Sequence, residues 1–184
     1  MDAITLLKNE HKAVETLFKR FEKAGPSAAK TKGDVVARII EALSKHAAIE
    51  EQVFYPAVRA ELPDEEDTVL EALEEHHVVK WTLSELDGMD PTAERFNAKV
   101  TVLIETVRHH VEEEETELFP AVRQAIGRKR LGEIGDAMEK ARRLAPSRPH
   151  PRSPDTPPGN LATGVAAGAV DTVVKAGRKV AGKK

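Results

Sequence analysis

Residues 36–59 of this chain are written a second time at residues 100–123. Val36, Ile39, Leu43, His46, Glu50, Glu51, Phe54, Pro56, Ala57, Val58 and Arg59 read onto Val100, Leu103, Val107, His110, Glu114, Glu115, Leu118, Pro120, Ala121, Val122 and Arg123 at an offset of 64. A companion repeat has an offset of 65: Ile4, Leu7, His11, Val14, Phe18 and Phe21 read onto Val69, Ala72, His76, Val79, Leu83 and Leu86. All four stretches carry the 3-4 spacing of apolar residues that marks one buried face of a helix. The chain is thus a helical hairpin repeated. Duplicated hairpins with short loops pack as an all-α, up-down-up-down four-helix bundle.

Local signals place the helices at about 2–23, 34–62, 64–86 and 92–126. Asp2 and Asp34 serve as N-caps, and Gly25-Pro26, Pro63, Gly88 and Gly127 supply the stops. The inward stripe of the second helix reads Val36, Ile39, Leu43, His46, Glu50, Val53, Ala57. That of the fourth reads Val100, Leu103, Val107, His110, Glu114, Glu117/Leu118, Ala121. Pro56 and Pro120 fall inside these helices. An interior proline costs ~3 kcal/mol and kinks a helix, so each copy either bends or ends there and restarts. Residues 127–145 form a short capping helix through Leu131, Ile134, Met138 and Ala141. The bundle is assigned to residues 1–126. Residues 146–184 read as a disordered Pro-rich linker followed by a basic Ala/Gly/Val tail.

One histidine stands in the stripe of every helix: His11, His46, His76 and His110. Glu50 and Glu114 stand four residues beyond two of them, so each His/Glu pair projects from one helix face. Six polar groups in an apolar stripe are costly unless satisfied. Two metal ions would satisfy them together, whereas a metal-free core would need all six to satisfy one another. Nitrogen and oxygen donors without thiolate favour iron, manganese or zinc. The levels must also agree. In the first hairpin, at ~1.5 Å per residue, His11 and His46 match within a couple of ångströms. In the second, His76 lies about ten residues before the turn and His110 about seventeen after it. Either the fourth helix overhangs there or the connection descends before the helix starts. His77 and His109 neighbour the ligand positions and rank below them, because the repeat and the stripe select His76 and His110. Glu51 and Glu115 read as supporting or surface residues, Phe54 and Leu118 as walls of the site, Trp81 as packing, and Tyr55 as off the stripe.

A His in helix one, His-x-x-x-Glu-Glu with a Phe-Tyr-Pro end in helix two, Glu-His in helix three, and His-x-x-x-Glu-Glu with Leu-Phe-Pro in helix four resemble the hemerythrin-like HHE cation-binding domains over about residues 2–125. The resemblance implies two non-haem iron ions, oxo- or hydroxo-bridged, with manganese or zinc as lesser options. His11, His46 and Glu50 would hold one ion and His76, His110 and Glu114 the other, with both glutamates bridging. It implies a small diatomic or peroxide ligand, and handling of O2, peroxide or nitric oxide in redox or iron stress. A peroxide- or O2-reducing, catalase-like oxidoreductase is the enzymatic form. Oxygen-carrying hemerythrins are expected to place a second His four residues after that of helix three and an Asp five after that of helix four. Here those signals are Lys80 and, at four residues, Glu114, which speaks against a dedicated oxygen carrier. A metal-dependent regulatory, iron-sensing or storage module and a plain interaction bundle are the alternatives.

Charge and composition narrow the rest. Residues 146–184 carry seven Lys/Arg against Asp155 and Asp171, a net of +5, which leaves −8 on residues 1–145 of a chain whose net charge is −3. An acidic body argues against nucleic-acid binding by the bundle. The basic tail suits weak contact with an anionic membrane or a polyanion, or simple solubilisation. The chain has no Cys, which removes disulfides and thiolate sites. The start, with Asp2 and Glu10 in an amphipathic pattern, does not read as a signal peptide, and a cytoplasmic location is expected.

Overall fold

A computed structural model describes residues 1–155, Pro157, Gly159 and Asn160. It is all helical among these residues. Helix α1 spans Ala3–Lys23, and the Asp2 carboxylate caps it by accepting the Thr5 amide. Helix α2 (Ala29–Ile49) runs into a π-helical segment, Glu50–Phe54, and on into α3 (Tyr55–Glu61). A 3-10 turn, Pro63–Glu65, leads to α4 (Glu66–Leu86). Helix α5 (Phe96–Glu113), a second π-helical segment (Glu114–Leu118) and α6 (Phe119–Ala125) form the fourth rod. Helix α7 (Arg128–Leu144) follows. The four rods make the up-down-up-down bundle that the duplicated hairpin predicts.

Two expectations need correcting. Helix α2 starts five residues before Asp34, with no side-chain cap, so its arm is longer than the sequence signals suggest. Gly33 lies inside that helix rather than ahead of it. A Cβ there would meet the Pro91 ring at 2.7 Å, so the glycine admits the α4–α5 connection. That connection descends through turns closed by Ala93 N–H to the Asp90 carbonyl and Phe96 N–H to the Ala93 carbonyl. It narrows the level mismatch, because α5 begins at Phe96, closer to His110 than its proline suggests.

The prolines take a form that sequence periodicity does not show. Each helix widens into a π turn that begins at the glutamate: the Tyr55 amide donates to the Glu50 carbonyl and the Phe119 amide to the Glu114 carbonyl, five residues back. Pro56 and Pro120 then sit in the first turn of α3 and α6, where an N–H has no partner in its own helix to lose. The extra residue rotates everything downstream by about 100° relative to a regular helix. Phe54, Tyr55 and Val58 are therefore buried, while Val53 and Ala57, which the regular stripe predicts inside, are only half-buried.

The core falls into two apolar clusters. One, at the loop end, gathers residues such as Phe18, Ile39, Leu83, Phe96 and Leu103. The other gathers Leu7, Ile49, Phe54, Val58, Phe119 and Val122 with Leu131, Ile134 and Met138 of α7. Helix α7 lies against α1, α2 and the first π-helical segment. Gly135 permits this approach, since a Cβ there would fall 2.2 Å from the Met1 carbonyl oxygen. The expected linker does not trail away within the described residues: its early part lies on the bundle. The rest of the expected tail, residues 161–184 with its basic end, lies outside the described residues.

Candidate metal centre

Between the two apolar clusters lies a polar layer, and the structure brings all six repeat-derived residues into it. His11, His46, Glu50, His76, His110 and Glu114 are each at most 5% exposed. Glu50 Oε2 lies 3.2 Å from His46 Nε2 and 3.4 Å from His76 Nε2. Glu114 Oε2 lies 3.4 Å from His11 Nε2 and 3.6 Å from His110 Nε2. Each carboxylate thus stands between histidines of different hairpins. Two donor groups converge closely enough for a metal ion: His11, His46, Glu50 and Glu114, and Glu50, His76 and His110.

Four further carboxylates hold the imidazoles from outside. His11 Nδ1 meets Glu115 at 2.9 Å, His46 Nδ1 meets Glu10 at 3.0 Å, His76 Nδ1 meets Glu51 at 3.1 Å and His110 Nδ1 meets Glu75 at 2.7 Å. An ionised carboxylate only accepts, so each Nδ1 carries the proton, and each ring turns its Nε2 inward, where it can offer a lone pair. The four bonds close a ring around the bundle: α1 to α2, the π-helical segment after α2 to α4, α4 to α5, and the α5 rod to α1. Glu10 and Glu75 are residues that sequence reasoning missed. Their signal was a Glu-His dipeptide, Glu10-His11 and Glu75-His76, repeated in both copies.

The inner layer is therefore rich in acceptors. His76 Nε2 and His110 Nε2 lie 3.2 Å apart while both Nδ1 protons point outward. The inward nitrogens of His11 and His46, both oxygens of Glu50 and one of Glu114 are buried and make no hydrogen bond. Lone pairs facing lone pairs in a low-dielectric interior repel unless a cation lies among them. Without a metal, protons must do that work. Burial, and then the charge of Glu114, pushes the Glu50 carboxyl well above the usual carboxylate range. Burial lowers His46 to about 4. These residues fit a metal ion better than they fit one another.

Tyr55 is the donor that reaches this layer. Its hydroxyl donates to Glu114 Oε1 at 2.9 Å and lies 3.4 Å from His76 Nε2. A regular helix would set Tyr55, nine residues past His46, about 180° from the histidine stripe; the π turn brings it back. Its repeat counterpart Phe119 stacks on His11, ring centroids 5.8 Å apart. Phe54 and Leu118 are buried beside them. Glu51 also accepts from Lys80 Nζ at 2.9 Å, and Glu115 pairs with Lys8 at 3.4 Å. Lys80, at the position where a carrier would place a second histidine, thus neutralises a supporting carboxylate. His77 accepts from Trp81 Nε1 at 3.0 Å on the outer face of α4, and Trp81 is exposed rather than packed. His109 is exposed beside Glu113.

A cavity of about 20 Å³ lies on the loop-end side of the layer. The four histidines form its floor, and Val14, Leu43, Ala47, Val79, Val107 and Val111 wall it.

Comparisons with known proteins agree with this arrangement. The family model described as "Hemerythrin HHE cation binding domain" matches residues 2–122. The chain is 26% identical over 130 residues to an uncharacterized hemerythrin-like protein of Schizosaccharomyces pombe, covering 70% of this chain and 64% of that one. It is 29% identical over 126 residues to a DNA nickase of Nostoc sp., covering 68% of this chain and 35% of that one. It therefore spans less than two thirds of either relative. In fold it is similar to the crystal structure of a hemerythrin HHE cation binding domain-containing protein from Mycobacterium kansasii, with a TM-score of 0.65, 23% identity, and coverage of 77% of this chain and 88% of that chain. With four histidines and two glutamates buried in one layer of a duplicated bundle, and a family match that spans that bundle, this chain belongs to the hemerythrin HHE cation-binding domain family.

Proposed function

We propose that the chain is a non-haem di-iron protein that takes O2, peroxide or nitric oxide at the buried layer. The observation that carries the metal part is the inward set of partnerless nitrogens and oxygens. His11 and His46 would serve one ion and His76 and His110 the other, with Glu50 and Glu114 between them. Two histidines and a carboxylate per ion match the donor set of non-haem ferrous centres that keep coordination positions open. Iron so held supplies electrons and a binding position for a small ligand.

The chain's own residues restrict what enters. A cavity of about 20 Å³ has room for one water-sized molecule, so a diatomic gas or peroxide fits and an organic substrate does not. Its valine and leucine walls keep bulk water out. Tyr55 holds a proton on Glu114, and burial followed by the Glu114 charge keeps that hydroxyl protonated far into the alkaline range.

Anaerobic loading with a ferrous salt, followed by metal analysis and absorption spectra, tests this reading. Two irons per chain are expected, with near-ultraviolet charge-transfer bands appearing on exposure to air, peroxide or nitric oxide. Full loading with a spectrum unmoved by all three would replace it with a metal-stabilised regulatory or storage module. Failure to load at all would remove the metal part too.

A further inference from the structure

The repeat provides an internal control on the surface of the bundle. Glu51 and Glu115 occupy equivalent positions and do the same work, each accepting from a histidine Nδ1 and pairing with a lysine. Their surroundings differ. The side chains of Lys8 and Glu115 are 38% and 30% exposed, whereas those of Lys80 and Glu51 are 10% and 6% exposed. What lies over the second pair is the segment after α7. Pro149, His150 and Pro154 face Ser44, Glu51 and Lys80 across a gap of about 40 Å³.

We propose that residues 145–155 with Asn160 form a strap that seals the α2–α4 seam over the Glu51–Lys80 pair, so that the centre is shielded on this side and meets solvent through the α1–α5 seam. The strap is fastened at both ends. Arg148 Nε donates to Asp87 at 2.7 Å. Asn160, only 4% exposed, donates through Nδ2 to the Glu51 carbonyl and the Asp155 carbonyl at 2.9 Å each. The Glu51 carbonyl lies in the π-helical segment, where the widened turn disturbs the regular ladder. Composition suits the role. Four prolines, Pro146, Pro149, Pro151 and Pro154, remove amide donors that would need partners along a seam, and they reduce the freedom lost when the segment is laid down. The inference goes beyond the metal reading and does not depend on it.

The chain has no cysteine, so one introduced thiol reports on the seal. Ser44→Cys in the full chain places it under the strap. Its labelling by a small thiol reagent is to be compared with and without Arg148→Ala and Asn160→Ala, and circular dichroism checks that each variant keeps its helices. Slow labelling that speeds up at least about tenfold when the fastenings are removed is the expected result for a local cover that opens. Equal rates, whether fast or slow, would overturn the strap. Hydrogen exchange on the unaltered chain gives a second reading should a variant fail to fold. The Ser153 amide, bonded to the His150 carbonyl at 3.0 Å, should be protected, and exchange at the open-chain rate would also overturn it.

Discussion

The first hairpin rod pair and the second supply the same inward-facing donor groups and differ in nearly everything behind them. Each copy gives two histidines and a glutamate at equivalent positions, and each histidine gets a carboxylate at Nδ1. Around that common set, Tyr55 donates to Glu114 where Phe119 stacks on His11. Phe54 stands where the other copy has Leu118. Lys80 pairs with buried Glu51, while Lys8 pairs with Glu115 at the surface. Glu10 is further engaged by Arg142 of α7 at 2.6 Å, whereas Glu75 has no arginine or lysine paired with it among the described residues and lies near His109. Both copies keep the donor types that a cation would need. Supporting residues act at one remove, and the two halves have diverged there. A pair of ions held in such a site would sit in unequal surroundings.

The largest effect should come from a change that spares neither half. His46→Ala with His110→Ala removes one nitrogen from each donor set and should abolish metal loading, read by elemental analysis; retained stoichiometric metal would mean that the layer does not hold it. The scaffold, in contrast, should respond alike in both halves. Ile39→Ala and Leu103→Ala delete equivalent side chains that are at most 1% exposed, and each should cost ~2–5 kcal/mol. A difference of more than about 1.5 kcal/mol between them in urea denaturation would show that the halves are unequal in packing as well. The supporting carboxylates should separate the halves. Glu51→Gln and Glu115→Gln should each weaken metal affinity within the 10–100-fold range typical of such partners, with the loss larger for Glu51 because it is the more buried; competition against a chelator measures both, and the reverse order would contradict the sheltered-half picture. Tyr55→Phe makes the copies alike and removes one buried donor, for roughly 1–2 kcal/mol. It should alter the absorption spectrum of the loaded protein, and an unmoved spectrum would confine Tyr55 to packing. Lys8→Ala, at a solvent-facing pair, should change stability by less than ~0.5 kcal/mol, seen as a nearly unchanged melting curve.

The six inner residues were legible because an α-helix converts spacing into direction. His46 and Glu50, or His110 and Glu114, stand one turn apart, and the repeat marks which of several acids matters. The same logic failed at Tyr55, which a regular 3.6-residue count puts on the wrong face. It failed equally at Val53 and Ala57, predicted inside and displaced by Phe54 and Val58. All three lie past the start of a π turn. The clue was Pro56 and Pro120 at equivalent places, which demand some local adjustment but do not say which. Glu10 and Glu75 were passed over because an acid beside a histidine, about 100° round the helix, reads as solvated until a neighbouring helix is placed next to it.

The sequence alone therefore determined the duplicated bundle, the helical faces and the identity of the inner donors, since these follow from local periodicity and from the cost of burying polar groups. Only the tertiary structure decided which carboxylate holds which histidine, how Tyr55 enters the layer, and that a proline-rich segment lies beside the Glu51–Lys80 pair. These depend on how rods cross and where a chain is laid over them, and contacts between residues far apart in sequence leave no period to read.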